Sequence, residues 1–402
     1  MKYLIFLLSI SAFAQTEQSE LERRLNILAE EIQLLKSNRL QVSSGATYGN
    51  LGPAASKVHF IKSGISIGGY GEFIYNDLAG EDESGNDLVN RPTAEALRGV
   101  LYFGYKFENG WTVNTEIEIE HVDEIFLEFA YLDKAINPLY NFRAGLVLIP
   151  FGLVNQSHEP TLFYTVNRPD IETVIIPSTW RELGIGLYGE YGKFRYETYL
   201  VNGADATDLA DGSDIFRGSR KRGGSGGEDA GSLAGVLRVD YQINPDSFIG
   251  SSLYIGEASG NGTTIDDVDH TLFDVHFNSR YKNWNFRGLF VLNHFNNAEN
   301  FNLQTGRNLP AESRGFYLES AYDFKLKNNA LLTPFVRYES YNLFEQVADG
   351  QVADPSLDIK NYTVGLNYKP IDRIVFKLDY TLQENGAETG VNRFSLGMGY
   401  YF

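Results

Sequence analysis

The sequence contains no cysteine, which limits both its chemistry and its means of stabilisation. Thiol metal sites, thiol catalysis and disulfide bonds are excluded, so the stability of an exported form must come from its sheet. No serine lies in a recognisable nucleophile motif either. We therefore expect neither a cofactor nor a metal site.

Long hydrophobic runs are also absent, because nowhere do 18 apolar residues follow one another. This excludes helical membrane spans but not membrane-spanning strands. A transmembrane strand needs only about 9 to 11 residues and exposes one face to lipid, so its average hydropathy is ordinary. The 25 Tyr, 27 Phe and 40 Gly suit aromatic girdles and tightly packed β-structure.

Basic residues are the minority charge, with 34 Lys and Arg against 52 Asp and Glu and a net charge of −18. We therefore expect no nucleic-acid partner, since such partners select basic surfaces. A solubilising acidic surface is the simplest reading of this excess.

The first residues, MKYLIFLLSISAFAQ, place Lys2 before an apolar run that ends in the small-residue pattern Ala12-Phe13-Ala14. This arrangement is typical of a secretory signal peptide, which we assign to residues 1–14. The apolar run is too short to span a bilayer as a helix. The mature chain is therefore expected to be exported.

Residues 15–40 carry an apolar stripe with alternating spacings of four and three residues, which predicts a short coiled-coil helix in the periplasm. The stripe consists of Leu21, Leu25, Leu28, Ile32 and Leu35. The alternative is a single amphipathic helix lying on another surface, because the stripe is short. Residues 41–63 are rich in Ser, Gly, Ala and Pro and are interpreted as a linker.

From Gly64 onward the hydrophobic pattern has a period of two, which indicates β-strands through 64–402. We count sixteen candidates in this range, and the even number suits an antiparallel transmembrane β-barrel. The candidates are 64–75, 95–107, 111–121, 124–134, 139–149, 181–192, 193–203, 232–243, 246–257, 268–282, 284–296, 313–324, 330–341, 359–369, 372–384 and 391–402. The predicted class is therefore all-β.

The connections between these strands alternate in length. Every second junction is short, as in ENG at 108–110 or KNW at 282–284, whereas the others are mostly long, as at 76–94 or 150–180. Outer-membrane barrels have short periplasmic turns and longer external loops. This alternation of short and long junctions therefore predicts a barrel in the outer membrane of a Gram-negative bacterium, with both chain ends on the periplasmic side.

The two faces of each strand differ in polarity. In WTVNTEIEIEH, Trp111, Val113, Ile117 and Ile119 share one face, whereas the glutamates lie on the other. A carboxylate on the lipid face would be destabilising, so the charged faces are predicted to line a wet lumen. The pore-lining residues that we predict are Arg98, Lys106, Glu116, Glu118, Glu120, Glu128, Arg143, Arg373, Lys377 and Asp379.

The last strand, FSLGMGYYF, has apolar side chains at every second position up to the last residue. These residues are Phe394, Leu396, Met398, Tyr400 and Phe402. The pattern resembles the C-terminal recognition signal of bacterial outer-membrane proteins. That resemblance implies that the barrel-assembly machinery reads this strand.

Sixteen strands leave an aqueous channel, so passive diffusion of ions and small hydrophilic solutes is the leading function. The third external loop, 150–180, mixes apolar runs with Glu159, Arg168, Asp170 and Glu172, unlike a freely solvated loop. We predict that it folds into the lumen, packs its apolar part on the wall and narrows the pore with these charges. The alternative is a loop that packs on a neighbouring subunit or lies over the rim.

A resemblance to a known family rests on FRAGLVLIPFGL at 142–153, the long loop behind it, the acidic strand before it and the N-terminal coiled-coil segment. In these features the chain resembles the phosphate-selective porin O and P family of trimeric sixteen-stranded porins. The resemblance implies a homotrimer whose coiled coil bundles three N-termini. It does not carry phosphate selectivity, because the inward residues have mixed signs, which suggests a general pore with a weak cation preference.

An anion- or phosphate-selective porin stays open as the alternative to a general pore. Two rival functions and the role of one basic stretch also stay open. An enzymatic barrel would need a reactive group, and the candidates are Asp269, His270, Asp274 and His276, of which the last two could pair as orienter and base. A structural anchor would use the coiled coil to hold a partner. The stretch RGSRKRGGSGG at 217–227 either attracts anions or lipopolysaccharide, or is a solvated flexible loop.

Overall fold

The computed structural model of the chain describes residues 46–89, 91–206, 209, 220, 230–258 and 267–402. The predicted signal peptide at 1–14 and coiled-coil segment at 15–40 lie outside the described residues. So does the stretch 217–227 apart from Arg220. Within the described ranges, no helix is both long and apolar enough to cross a membrane.

The described strands form one closed antiparallel sheet, which confirms the predicted sixteen-stranded barrel. The strands are β1 Gly64–Leu78, β2 Thr93–Lys106, β3 Trp111–Glu120, β4 Glu124–Lys134, β5 Asn141–Leu148, β6 Arg181–Tyr191, β7 Phe194–Asn202, β8 Leu233–Asn244, β9 Ser247–Ala258, β10 Val268–Tyr281, β11 Trp284–Asn296, β12 Pro310–Tyr322, β13 Leu331–Val347, β14 Asp358–Ile371, β15 Ile374–Asn385 and β16 Arg393–Tyr401. The short segment Phe324–Lys325 continues β12 beyond a break at Asp323 and pairs with β13. The described α-helices are α1 Pro53–Phe60, α2 Ile171–Val174 and α3 Ala298–Thr305.

The barrel closes where the first strand pairs with the last. The Phe402 N–H donates to the Gly69 carbonyl at 2.9 Å, and the Gly69 N–H donates to the Phe402 carbonyl at 3.2 Å. On the outer face the Phe402 ring lies over Gly69 and the Tyr400 ring over Gly71, in the space that a Cβ would otherwise fill. Glycine therefore lets the aromatic rings of the last strand pack flat on the first.

The strands alternate between an exposed apolar outer face and a buried polar inner face. In β3, Ile119 is 44% exposed on the outside, whereas Glu116 and Glu118 are 0% and 2% exposed on the inside. Exposed aromatic pairs form a girdle near the short turns, which we call the short-turn end of the barrel. Examples are Tyr105–Phe107, Phe194–Tyr241 and Trp284–Tyr322, with ring centroids 4.7, 5.1 and 4.9 Å apart. This distribution suits lipid outside and polar contacts inside.

Residues 46–63 are not the free linker that their composition predicts. Here the chain contains helix α1, which packs inside the barrel with Leu51, Ala54, Ala55 and Val58 all 3% exposed or less. The small residues that resemble a linker are the ones that fit against the wall. We call residues 46–60 the N-terminal segment.

The seam gives a test of closure. Gly69→Val should lower the free energy of unfolding by about 1–3 kcal/mol because its Cβ would lie 2.3 Å from the Val100 carbonyl oxygen and 2.8 Å from the Phe402 ring. The measurement is the urea midpoint of the folded, heat-modifiable band in detergent. Gly99→Val is the control, because its Cβ meets nothing within 4 Å. Equal midpoints for the two variants would contradict the described packing at the seam.

Candidate pore and its constriction

The third loop, residues 150–180 (L3), runs inside the lumen. Its apolar residues pack against the wall, with Phe151, Ile171 and Ile176 each 0% exposed. The Trp180 ring lies 5.0 Å from that of Tyr254 on β9, and the Ile171 side chain fills the space beside Gly315 on β12. The wall is therefore shaped to receive this loop.

The start of L3 is held by β8 and β10. The Gly152 N–H donates to Asp274 at 2.9 Å, and Arg238 donates to the Gly152 carbonyl at 2.6 Å. His276 joins the same network, with its ring nitrogens 2.5 Å from Asp274 and 2.8 Å from Asp240. Asp274 and His276, the candidate orienter and base, thus belong to a buried network that fixes the loop.

The other two enzymatic candidates show no comparable arrangement. His270 is 0% exposed, contacts Asn293 at 2.6 Å and stacks on Phe295 with ring centroids 4.7 Å apart. Asp269 lies beside it on the exposed face of β10. In the described part of the chain, no group of three or more metal-ligating side chains is placed to hold an ion.

The charges that we expected to narrow the pore attach L3 to its surroundings. Glu159 accepts from the Ala54 and Ala55 N–H groups of α1 at 2.8 and 3.1 Å. Asp170 accepts from Asn361 on β14 at 2.8 Å, and Arg168 donates to the Ser178 hydroxyl within L3. These charges therefore have partners on the wall and on the chain itself, as buried charges require, and their narrowing of the pore stays a prediction.

Glu172 ties the two ends of L3 together. It accepts from the Leu153 and Val154 N–H groups at 2.8 and 2.7 Å and from the Tyr317 hydroxyl on β12 at 2.6 Å. Burial raises the pKa of this carboxyl, whereas the Tyr317 hydroxyl and the two N–H donors oppose that rise. The carboxylate is thus the centre of the loop's fold.

The tip of L3 reaches the far wall. Lys377 on β15 donates to the Thr165 carbonyl at 2.9 Å, and Asp379 accepts from the Val166 N–H at 2.5 Å. Val166 lies 3.1 Å from where a Cβ of Gly397 would be, so β16 leaves room for the loop. L3 therefore crosses the lumen from β5 to β15 and β16 before it returns to β6.

The predicted acidic lining faces inward but is covered. Glu116 is 3.0 Å from His158 of L3, and Glu128 is 2.9 Å from Arg181 at the start of β6. Arg98 lies 3.3 Å from Glu118 and 3.2 Å from Glu120. These acids and their partners form a paired, mostly buried wall beneath L3, in which Arg98 and Glu120 are partly exposed.

The remaining predicted lining residues separate into two groups. Arg143 donates to Asp133 at 2.7 Å from the inner face, and Lys106 donates to the His59 carbonyl of α1 at 2.5 Å. Arg373 does not line the pore, which corrects its assignment. It lies in the exposed turn between β14 and β15, over the Tyr401 ring at 5.9 Å, because β15 begins only at Ile374.

A cavity of about 420 Å³ lies between the N-terminal segment, L3 and the wall at the short-turn end. Basic side chains dominate its charged lining. These are Arg195, Arg238, Arg280, Arg287 and Lys369, against the single acid Asp246. The strand pattern predicts that these arginines face inward. It does not show that most of the acids on the same wall are buried by their partners and so do not line the cavity.

The comparisons with known proteins agree with this architecture. An uncharacterized protein from Aquifex aeolicus (strain VF5) is 34% identical over 358 residues, which cover 84% of this chain and 80% of that protein. No protein-family model matches the chain. An anion-selective porin from Comamonas acidovorans aligns with a TM-score of 0.53 at 12% identity, covering 85% of this chain and 100% of that one.

The trimer form of in-vitro folded OmpT, an outer membrane protein of Vibrio cholerae, aligns with a TM-score of 0.52 at 12% identity, covering 85% of this chain and 99% of that one. At such low identities these likenesses show the fold, which is a porin-type barrel.

Glu172→Ala should release L3, since it leaves two buried N–H groups and a hydroxyl without their acceptor, at a cost of about 1–3 kcal/mol each. We expect faster proteolysis within 150–180 of the folded protein in detergent, with the barrel itself intact by heat-modifiable mobility. The matched control is Glu108→Ala, in an exposed short turn. If both variants resist protease like the parent, Glu172 does not hold the loop.

The contact between Glu159 and α1 should depend on pH. Burial raises the pKa of Glu159 to about 8, opposed by the Ala55 and Ala54 N–H donors and reinforced by Glu116. The contribution of this group is complete below its ordinary value of 4.5 and is lost as pH rises through 8. Burial, together with Arg143 and Lys106, lowers the pKa of His59 well below its ordinary value of 6.5.

We therefore expect proteolysis of the N-terminal segment to be several-fold faster at alkaline pH than in mild acid. Glu159→Gln keeps the Oε1 acceptor but cannot titrate, and its digestion rate should be flat with pH after correction for the protease. The same pH dependence in this variant would assign the effect to another group.

Proposed function

We propose that this chain, which belongs to the same protein family as the Aquifex aeolicus protein, is an outer-membrane porin that lets ions and small hydrophilic solutes diffuse across the membrane. The observation that carries the proposal is a porin-type barrel whose lumen holds an inward-folded third loop and a polar wall. Sixteen strands enclose more space than their own side chains fill, which an aqueous path requires.

We place the short-turn end at the periplasm and the long loops outside, as outer-membrane barrels are built. The exposed apolar band then contacts outer-membrane lipid and lipopolysaccharide. Tyr400 and Phe402, at the short-turn end of β16, are 37% and 46% exposed on the outer face. This placement supports a role for Phe394, Leu396, Met398, Tyr400 and Phe402 as the strand that the barrel-assembly machinery reads.

A homotrimer is the assembly that we propose. The predicted coiled coil of Leu21, Leu25, Leu28, Ile32 and Leu35 supports it, as does the trimer form of the structurally similar Vibrio cholerae protein. The resemblance to the phosphate-selective porin O and P family agrees with the same assembly. Membership of that family remains a proposal.

The charge of the open space favours anions over the cations expected from the sequence. Most acids of the wall are buried against L3, the N-terminal segment or basic partners. Arg195, Arg280 and Arg287 border the cavity at the short-turn end, and the first two also pair with Glu190 and Asp323. Only charges that a passing ion approaches without protein between them set its selectivity. An anion-preferring porin is therefore the form of the function that the geometry supports best.

A hydrolytic function receives no comparable support. Asp274 and His276 are both 0% exposed and hydrogen-bond to each other. His276 also contacts Asp240, and Asp274 also accepts from the Gly152 N–H. A general base must reach the proton that it removes, and this pair faces protein instead. We propose that the chain is not an enzyme.

The experiment is the reversal potential of single channels of the purified protein in a planar bilayer under a salt gradient. Discrete current steps with a reversal potential of the sign for anions support the proposal. Stepwise closures in threes support the trimer. A cation-selective reversal potential would contradict the selectivity. The absence of current both from the parent and from folded variants that open the lumen would contradict the channel itself.

The double variant Arg280→Gln with Arg287→Gln should reduce the anion-to-cation permeability ratio several-fold, because both guanidinium groups border the cavity. The matched control is Arg314→Gln, whose side chain is 52% exposed and pairs with Glu345. Arg314 shares the parity of the exposed Phe316 and Leu318 on the outer face. A permeability ratio that changes only in Arg314→Gln would show that the charges at the cavity do not determine the selectivity.

A further inference from the structure

The inner wall has a recess shaped for helix α1. A Cβ added to Gly104 on β2 would lie 2.6 Å from Val58 Cγ2, and one added to Gly68 on β1 would lie 2.9 Å from the Ala54 carbonyl oxygen. Both glycines face inward, and neither has a positive φ that would call for glycine on backbone grounds. The missing side chains therefore make space for the helix.

Polar contacts hold the same segment to the wall around it. Asn114 on β3 donates to the Ala55 carbonyl at 2.9 Å, and Lys57 donates to the Ile67 carbonyl on β1 at 2.9 Å. On the opposite side, Asn50 donates to Glu197 on β7 at 3.0 Å and to Asp240 on β8 at 3.2 Å. The N-terminal segment thus spans the lumen between β1 and β8.

Residues of L3 also hold the N-terminal segment in place. Glu159 accepts from the first N–H groups of α1, and the Ser157 hydroxyl donates to the Asn50 carbonyl at 2.5 Å. A Cβ on Gly52 would lie 2.3 Å from Glu159, so this contact also needs a glycine. Two separate parts of the chain therefore meet inside the lumen at a fitted junction.

The segment and the open cavity share the short-turn end of the barrel. The segment covers the wall from β1 to β8, whereas the cavity lies along β7 to β11 and β14, with Thr47, Gly49, Asn50 and Leu51 as part of its lining. From this arrangement we propose that the N-terminal segment is a plug that restricts the channel, and that its departure from the glycine recess widens the path.

The plug can leave without unfolding the barrel. Its contacts are hydrogen bonds, the buried side chains of Leu51 and Val58, and the Tyr48 ring 6.2 Å from that of Tyr188. The sheet pairing of β1 with β2 and β16 does not involve the segment. A segment outside the strand pairing can open locally at lower free energy than the sheet that surrounds it. The plug is therefore a separable segment inside the channel and not a part of the barrel wall.

This inference rests on the proposed channel function, and its experiment separates the two. Gly104→Leu fills the recess with a side chain, whereas Gly99→Leu adds the same atoms to β2 where a Cβ meets nothing within 4 Å. We expect Gly104→Leu to raise single-channel conductance several-fold and to expose residues 46–60 to protease. Gly99→Leu should match the parent, and heat-modifiable mobility checks that all barrels are folded.

A reversible lock provides the second variant. Because the chain has no cysteine, Val58→Cys with Gly104→Cys introduces a single thiol pair at positions whose Cβ atoms lie 2.8 Å apart, close enough for a disulfide after a small shift. The oxidised form should keep the small conductance and protect the segment. Reduction should release the segment and raise the conductance, because the side chain added at Gly104 occupies part of the recess.

The outcomes are distinct. A parent channel with small conductance and a large one in Gly104→Leu supports the plug, as does a silent parent with a conducting variant. A conducting parent whose conductance is unchanged when protease shows the segment displaced would overturn the plug and leave the porin. No current from any folded form would overturn both.

Discussion

Closure of the sheet is the constraint on which the whole molecule depends. In hydrocarbon every backbone N–H and C=O must find a partner within the protein, so a sheet can span a membrane only if its first and last strands pair. Here Gly69 and Phe402 exchange hydrogen bonds across that seam, and the Phe402 and Tyr400 rings lie over glycines of the first strand. Once the sheet closes, its alternation of side chains determines which residues meet lipid and which meet the lumen.

The interior of the barrel imposes a second requirement, because charged side chains that face inward need water or hydrogen-bonding partners. Several wall acids obtain partners from segments that enter the barrel. L3 supplies N–H groups to Asp274 and Asp379 and the His158 ring to Glu116, whereas Asn50 of the N-terminal segment donates to Glu197 and Asp240. Inward glycines at 68, 104 and 397 create the space that these segments occupy. A cavity with a mainly basic charged lining remains open beside these segments, and the proposed anion preference depends on it.

The barrel was predictable because its evidence is local and repeated. A strand such as β3 shows its two faces in ten residues, and the alternation of short and long junctions recurs along the chain. The lumen was much less predictable. Glu159 meets Ala54 across more than a hundred residues, and Asp379 meets Val166 across more than two hundred, so nothing near either carboxylate in the sequence identifies its partner.

The linker and the start of β15 were mispredicted for different physical reasons. A segment of Ser, Gly, Ala and Pro resembles a linker whether it is solvated or packed against a glycine recess, because small residues serve both purposes. Arg373 has the inward parity of its strand, but β15 begins at Ile374, two residues later than predicted, and leaves Arg373 in an exposed turn. Periodicity assigns faces within a strand but does not fix where the strand begins.

The most direct test of this account is solvent accessibility inside the lumen, measured with a membrane-impermeant, hydrophilic thiol reagent on single cysteines. The cysteine-free chain makes each introduced thiol unique. We predict rapid modification of Arg280→Cys, which borders the cavity, and protection of Glu118→Cys, which lies beneath L3 and is 2% exposed in the parent. Equal and rapid modification at both positions in folded protein would show an open, unfilled barrel and contradict the account.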